Sequence, residues 1–285
     1  MKKITLLFFM TVNLVFAQER GKVIYGEDNR EDILNVKDWN YKFLAESTAA
    51  MIHKNKFVEN KGHYSIMSTL LKDKFKLCPD ERFKNQTTAA TCSGFLVGPK
   101  TLVTAGHCAE VLRFCKDYKW AFNYYHKEDG VPVSITKDKI YSCKKIIHKV
   151  KDSSTRTDFA IIELDREVGW VRPLELRQDD QTPIGAPLAV IGNPSGLPTK
   201  VADGAYVRDN THPQFLVTNL DTFGGNSGSA VINSETGLVE GILVRGERDY
   251  VYDSVIKCYR PKYCSMSECR GEDVQKIYPV LKHLP

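Results

Sequence analysis

From residue 87 onward the chain is a succession of short apolar runs separated by Gly, Pro, Asn and Asp. The clearest are Cys92 to Val97, Thr101 to Ala105, Phe159 to Leu164, Leu188 to Ile191, Gln214 to Asn219, Ser229 to Asn233 and Leu238 to Val244. Short runs with turn residues between them are the rhythm of an all-β chain, and Gly98-Pro99 marks the turn between the first two. Glu272 to Leu284 differs: Val274, Ile277, Tyr278 and Leu281 fall at helical spacing and predict a short closing helix. Residues 18–86 are charged and mixed, with a moderately apolar piece from Trp39 to Ile52 and no repeat. At the start, Lys2 and Lys3 precede an apolar run from Ile4 to Phe16 that ends at Ala17. That order predicts a cleaved secretory leader over 1–17. The run is shorter than the roughly 18 residues a membrane span takes, and no later run matches that length, so no stable membrane insertion is expected.

Composition narrows the picture. A chain of 285 residues with 42% hydrophobic content can bury a sizeable core. Lys plus Arg number 40 against 35 acidic residues, a formal +5 that falls to +3 once Lys2 and Lys3 leave with the leader. The basic residues are scattered among acids, so nothing calls for nucleic acid or an anionic surface. Eight cysteines, an even number, favour disulfides in an exported chain. Cys258, Cys264 and Cys269 cluster without a Cys-x-x-Cys pair, which predicts a stapled C-terminal loop and no metal site.

Three stretches bear chemistry. Gly224-Gly225-Asn226-Ser227-Gly228-Ser229 is compatible with an ordinary turn, but Gly225 can also aim its own N–H and that of Ser227 at one spot, as an oxyanion hole does. Thr101 to Ala105 leads through Gly106 to His107, whose side chain exchanges protons near neutral pH. Asp158 opens an apolar strand, so its buried carboxylate needs a hydrogen-bonded partner; His107 is one candidate and a local turn is another.

Together, Thr104-Ala105-Gly106-His107-Cys108, Asp158-Phe159-Ala160 and Gly225-Asn226-Ser227-Gly228 resemble, in order, the His, Asp and Ser motifs of trypsin-like (chymotrypsin-fold) serine proteases. The separations, 51 residues from His107 to Asp158 and 69 from Asp158 to Ser227, are similar to those of the compact bacterial branch related to glutamyl endopeptidases. Val23-Ile24-Tyr25-Gly26-Glu27-Asp28-Asn29-Arg30 also looks like the start of that branch's mature chains. The resemblance implies two packed antiparallel β-barrels, with His107 and Asp158 from the first and Ser227 from the second. It implies catalysis by His107, Asp158 and Ser227, an oxyanion hole at Gly225 and Ser227, a Cys92–Cys108 disulfide and no cofactor. The expected layout is a leader at 1–17, a segment at 18–86 that is mature chain or partly propeptide, and the two-barrel region at 87–285. The first barrel is expected to run to about residue 170 and the second from about 171.

Where glutamyl endopeptidases place a histidine in the strand lining the specificity pocket, this chain aligns Leu243, followed by Val244 and Arg245. Asp221 stands six residues before Ser227, the offset at which trypsin-like enzymes carry the pocket-floor aspartate. The resemblance therefore implies cleavage after Arg or Lys, with Asp221 as the acid and Arg245 as a group that neutralises it or obstructs the pocket. Asn226 stands where trypsin-like zymogens keep an aspartate for the new N-terminus, so that salt bridge is not available. Lys22-Val23 is a potential self-cleavage site. The expected function is a secreted, extracellular or periplasmic, monomeric endopeptidase acting on protein or peptide substrates. The alternatives are a silent binding module on the same fold, a Glu or apolar preference, or a structural secreted protein; no repeats or stalks support the last.

Overall fold

The computed structural model describes residues 23–111, 113–128, 131–246 and 248–285; the leader at 1–17 and Lys22 lie outside them. Two antiparallel barrels dominate. The first closes six strands in the order Tyr118–Phe122, Ile140–Asp152, Thr157–Leu164, Thr101–Thr104, Cys92–Gly98 and Thr48–His53, the last pairing back to the first. The second runs Pro187–Gly192, Ala230–Asn233, Val239–Arg245, Glu272–Lys276, Phe215–Thr218 and Lys200–Asp209, and the end strands pair to close it. Arg30–Asp32 adds an edge to Lys200–Asp209.

Two expectations are corrected. The first barrel draws Thr48–His53 from upstream of residue 87, where the two-barrel region was expected to begin. Asp38 caps the helix Trp39–Glu46 by accepting the Asn40 N–H at 2.8 Å, and the chain enters the barrel directly after it. The closing helix is confined to Tyr278–Leu281, because Glu272–Lys276 is a barrel strand. All five residues of that strand are buried, so the spacing of its apolar members carries no helical information.

The largest cluster of buried apolar side chains spans both barrels, joining Phe159, Ile161 and Ile162 of the first to Ile191, Ile232 and Ile242 of the second. A separate cluster that includes Leu188, Val190, Leu216, Val231 and Val274 fills the second barrel. Each such side chain contributes roughly 1.5–3 kcal/mol on burial. Thr157–Leu164 packs against Val239–Arg245 and Glu272–Lys276, so the strand that carries Asp158 is held from both sides where the barrels meet. Every cysteine is in a disulfide: Cys78–Cys258, Cys92–Cys108, Cys115–Cys143 and Cys264–Cys269. The first ties residues 180 apart and constrains the unfolded chain most in the loop-entropy account.

Candidate active site

The strand Thr101–Thr104 ends in the turn Gly106–Glu110, which presents His107 at the junction of the barrels. Gly106 passes so close to the Val150 carbonyl that a Cβ would collide with it; a side chain there would push His107 off Asp158. Cys108 bonds to Cys92 one hairpin earlier and anchors the turn. Asp158 is buried and accepts twice from His107: Oδ1 takes the backbone N–H at 2.9 Å and Oδ2 faces ring Nδ1 at 2.9 Å. A carboxylate only accepts, so Nδ1 carries the proton and neutral His107 keeps Nε2 as a lone pair. Burial works to raise the Asp158 carboxyl, but the hydrogen bonds and charge of His107, with the charge of Arg245, outweigh it and hold the group below the ordinary carboxylate range.

Ser227 lies in the Gly-rich turn from Gly224 to Ser229. Its carbonyl accepts the Ser93 N–H at 2.8 Å and lies 3.6 Å from Cys108 Sγ, which sets this Gly-rich turn against the residue after His107. Gly225 has φ +102, a left-handed conformation that suits glycine, and a Cβ there would lie 2.5 Å from the Asn193 carbonyl oxygen. Ser227 lines a small cavity of about 90 Å³, with Thr222, Phe223, Leu243, Val244, Asp249 and Glu272 among its walls. Val244 and Arg245 also line the groove that holds His107 and Asp158, so strand Val239–Arg245 borders both.

Asp221 is not among the cavity's walls, which corrects its expected place at the pocket floor. Its carboxylate turns toward the N-terminal segment, accepting the Tyr25 N–H at 2.7 Å and the Asn29 N–H at 2.9 Å. Burial pushes it up to about 7 against the pull of those two bonds. The cavity's acids are instead Glu272, which accepts from the Thr222 hydroxyl at 2.7 Å, and Asp249, which accepts the Gly224 N–H at 2.7 Å. Arg245 does not meet Asp221. It donates to Asp273 at 3.1 Å and to the Arg156 carbonyl at 2.9 Å. Leu243 lies in the second-barrel core, and its carbonyl accepts the Gly228 N–H at 2.7 Å. Asn226 is buried, and its Oδ1 lies 3.4 Å from Ser229 Oγ.

Sequence reasoning missed Ser93. Its hydroxyl donates to the Gly225 carbonyl at 2.9 Å and accepts the Asn193 N–H at 2.9 Å, joining the first barrel to the Gly-rich turn that carries Ser227 and to the second barrel. The available signal was a serine inside an apolar run, where a buried hydroxyl must find partners.

A family model of the trypsin-like peptidase domain matches residues 92–242, just over half of the chain. The chain belongs to the trypsin-like peptidase family. Among curated relatives it is 28% identical over 168 residues to an extracellular metalloprotease of Bacillus subtilis (strain 168), covering 55% of this chain and 51% of that protein. It is 29% identical over 162 residues to a putative protease Do-like 12, mitochondrial, of Arabidopsis thaliana, covering 53% and 28% respectively. This family member therefore spans about half the length of the first relative and just over a quarter of the second. Its fold is similar to that of a Glu endopeptidase in complex with MPD, with TM-score 0.50, 17% identity and coverage of 91% of this chain and 97% of that one. It is also similar to the serine endoprotease from Yersinia pestis, with TM-score 0.51, 14% identity and coverage of 85% and 63%. At these identities the two structures speak for the fold.

Proposed function

We propose that the protein is an exported serine endopeptidase that cleaves after Arg or Lys through an acyl-enzyme. The observation that supports this best is the pair of hydrogen bonds from His107 to Asp158, which fixes the ring with Nε2 as the free base. Ser227 Oγ attacks the scissile carbonyl carbon while His107 Nε2 takes its proton. The N–H groups of Gly225 and Ser227 receive the oxyanion, and Asp158 stabilises the imidazolium. The imidazolium gives its proton to the departing amine as the C–N bond breaks. Water then repeats the sequence on the acyl-Ser227 ester, its proton passing through Nε2 back to Oγ.

Two acids, Glu272 and Asp249, against one cation, Arg245, in the cavity wall support the basic preference. A substrate guanidinium or ammonium would pair with them, whereas a substrate glutamate would meet like charge. The reading includes a leader removed at residue 17, mature residues that begin at Gln18 or Val23, and a monomer acting on proteins or peptides in the periplasm or outside the cell. Four disulfides fit such an oxidising compartment. Among the described residues no helix is long and apolar enough to cross a membrane. The Bacillus relative's name invites a metal-dependent reading, but among the described residues both groupings of three ligating side chains include disulfide-bonded cysteines. Those sulfurs are not thiolates, so the donor sets do not fit a metal.

Substrate profiling of the purified protein beside Ser227→Ala tests the proposal. Hydrolysis after Arg or Lys that falls on the order of a millionfold in the variant supports it. Hydrolysis that survives the substitution rejects the triad, and a Glu or apolar preference rejects the pocket assignment.

A further inference from the structure

Asp158 has a charged neighbour beyond its histidine. Arg245 Nη1 stands 3.9 Å from Asp158 Oδ2, the same oxygen that faces His107 Nδ1 at 2.9 Å. The guanidinium is fixed from behind. Nε donates to Asp273 Oδ2 at 3.1 Å, and Nη2 donates to the Arg156 carbonyl at 2.9 Å. Asp273 Oδ2 also receives Arg156 at 2.8 Å and Arg270 at 2.5 Å. Three guanidiniums thus converge on one carboxylate whose side chain is 1% exposed. A single negative charge cannot neutralise three positive ones, so Arg245 keeps positive potential to spare on the side that faces Asp158.

We propose that Arg245 is a positioning residue that sets the pH range in which His107 works, by sharing Asp158 Oδ2 with the imidazole. The inference rests on the triad reading above. A carboxylate that leans on two cations stabilises each less, so taking Arg245 away leaves Asp158 Oδ2 wholly to the imidazole. The other charged residues in the groove that holds His107 and Asp158 are Glu110, Lys151, Asp152 and Arg156. Lys151, opposite Asp158 across the strand pair, is tied to Glu110 at 2.6 Å. Arg156, two residues earlier, is turned to Asp273. From Glu272–Lys276 the facing groups are Asp273, behind Arg245, and the uncharged Gln275, whose Oε1 accepts the Asp158 N–H at 3.0 Å.

The test is the pH dependence of kcat/KM on one peptide substrate. Arg245→Met removes the charge and leaves Asp273 with Arg156 and Arg270; the acid limb moves up by about half a unit to one unit. Arg245→Gln keeps an N–H for Asp273 without the charge and moves the limb the same way. Arg245→Lys keeps the charge and holds the limb, and Arg156→Met, one shell away, holds it too. Titration of the His107 ring by NMR in the Ser227→Ala background shows the same displacement without turnover. A limb and a ring titration unmoved in Arg245→Met, or moved as far by Arg245→Lys, overturn the proposal. Undiminished hydrolysis by Ser227→Ala overturns the triad reading instead, so the two failures are distinguishable.

Discussion

Asp158 and Asp221 are both buried, both accept two N–H hydrogen bonds and both hold a segment from a distant part of the chain, yet their carboxyl groups shift in opposite directions. Asp158 falls below the ordinary range, whereas Asp221 rises to about 7. Desolvation is the largest influence on each, and it raises both. What differs is the company. Asp158 has His107 against it and Arg245 at 3.9 Å. Asp221 has backbone amides as its hydrogen-bond donors, with opposing charge effects from Asp28 and Arg30. A buried carboxylate is poised for catalysis by a cation within reach; amide bonds alone turn it into a clamp.

Substitution by asparagine should separate the two most sharply. Asp158→Asn can present an N–H to His107 Nδ1 and favour the wrong tautomer. We expect kcat to fall by about four orders of magnitude with the thermal midpoint little changed. A loss under tenfold, measured on a peptide ending in Arg, would show that Asp158 is a clamp as well.

Asp221→Asn should spare kcat to within a few fold and act on stability. The folded pKa of about 7 lies above the unfolded value near 3.9, so the folded state holds the proton more tightly. That contribution is fully present below about pH 4 and is lost as pH rises to 7, with a span of roughly 4 kcal/mol. Urea unfolding at several pH values should show this slope in the native protein and not in the variant. Parallel curves for the two proteins would mean that Asp221 titrates alike folded and unfolded.

If Asp221 is a clamp, the pocket acid lies elsewhere, and Glu272→Gln tests where. It preserves the acceptor for Thr222 and removes the charge. We expect kcat/KM on Arg and Lys substrates to drop by about tenfold to a hundredfold, or roughly 1.4–2.7 kcal/mol, with apolar substrates barely affected. An equal drop on both substrate types would assign Glu272 a structural role.

These contrasts explain what the sequence could and could not disclose. Runs such as Cys92 to Val97 and Leu238 to Val244 became barrel strands within a residue or two, because nearly every position in them is buried. Ile140–Asp152 and Lys200–Asp209 carry lysines, arginines and aspartates within the strands, and Tyr118–Phe122 is short; in each, pairing overrides pattern. His107, Asp158 and Ser227 stand out as candidates because each sits in a distinctive local motif. Asp221 was misplaced because an offset along the chain does not reveal which way a side chain turns. Glu272, Ser93 and Arg245 are held by partners 28 to 132 residues away along the chain, and no local pattern marks such pairs.

The smallest expected effect concerns how Asp158 is held from behind. Gln275, fully buried, accepts the Asp158 N–H through Oε1 and donates through Nε2 to the Gln214 carbonyl at 2.9 Å. Gln275→Met keeps the volume but leaves that N–H without its acceptor inside the barrel junction, at a cost of roughly 1–3 kcal/mol in urea unfolding. Because the His107 hydrogen bonds come from the other side of Asp158, kcat should change only a few fold. If kcat instead fell as far as in Asp158→Asn, the backbone of Asp158 would govern its orientation as much as its carboxylate does. The contrast with Asp221 would then lie in how each aspartate's own main chain is tethered, and less in which charges surround it.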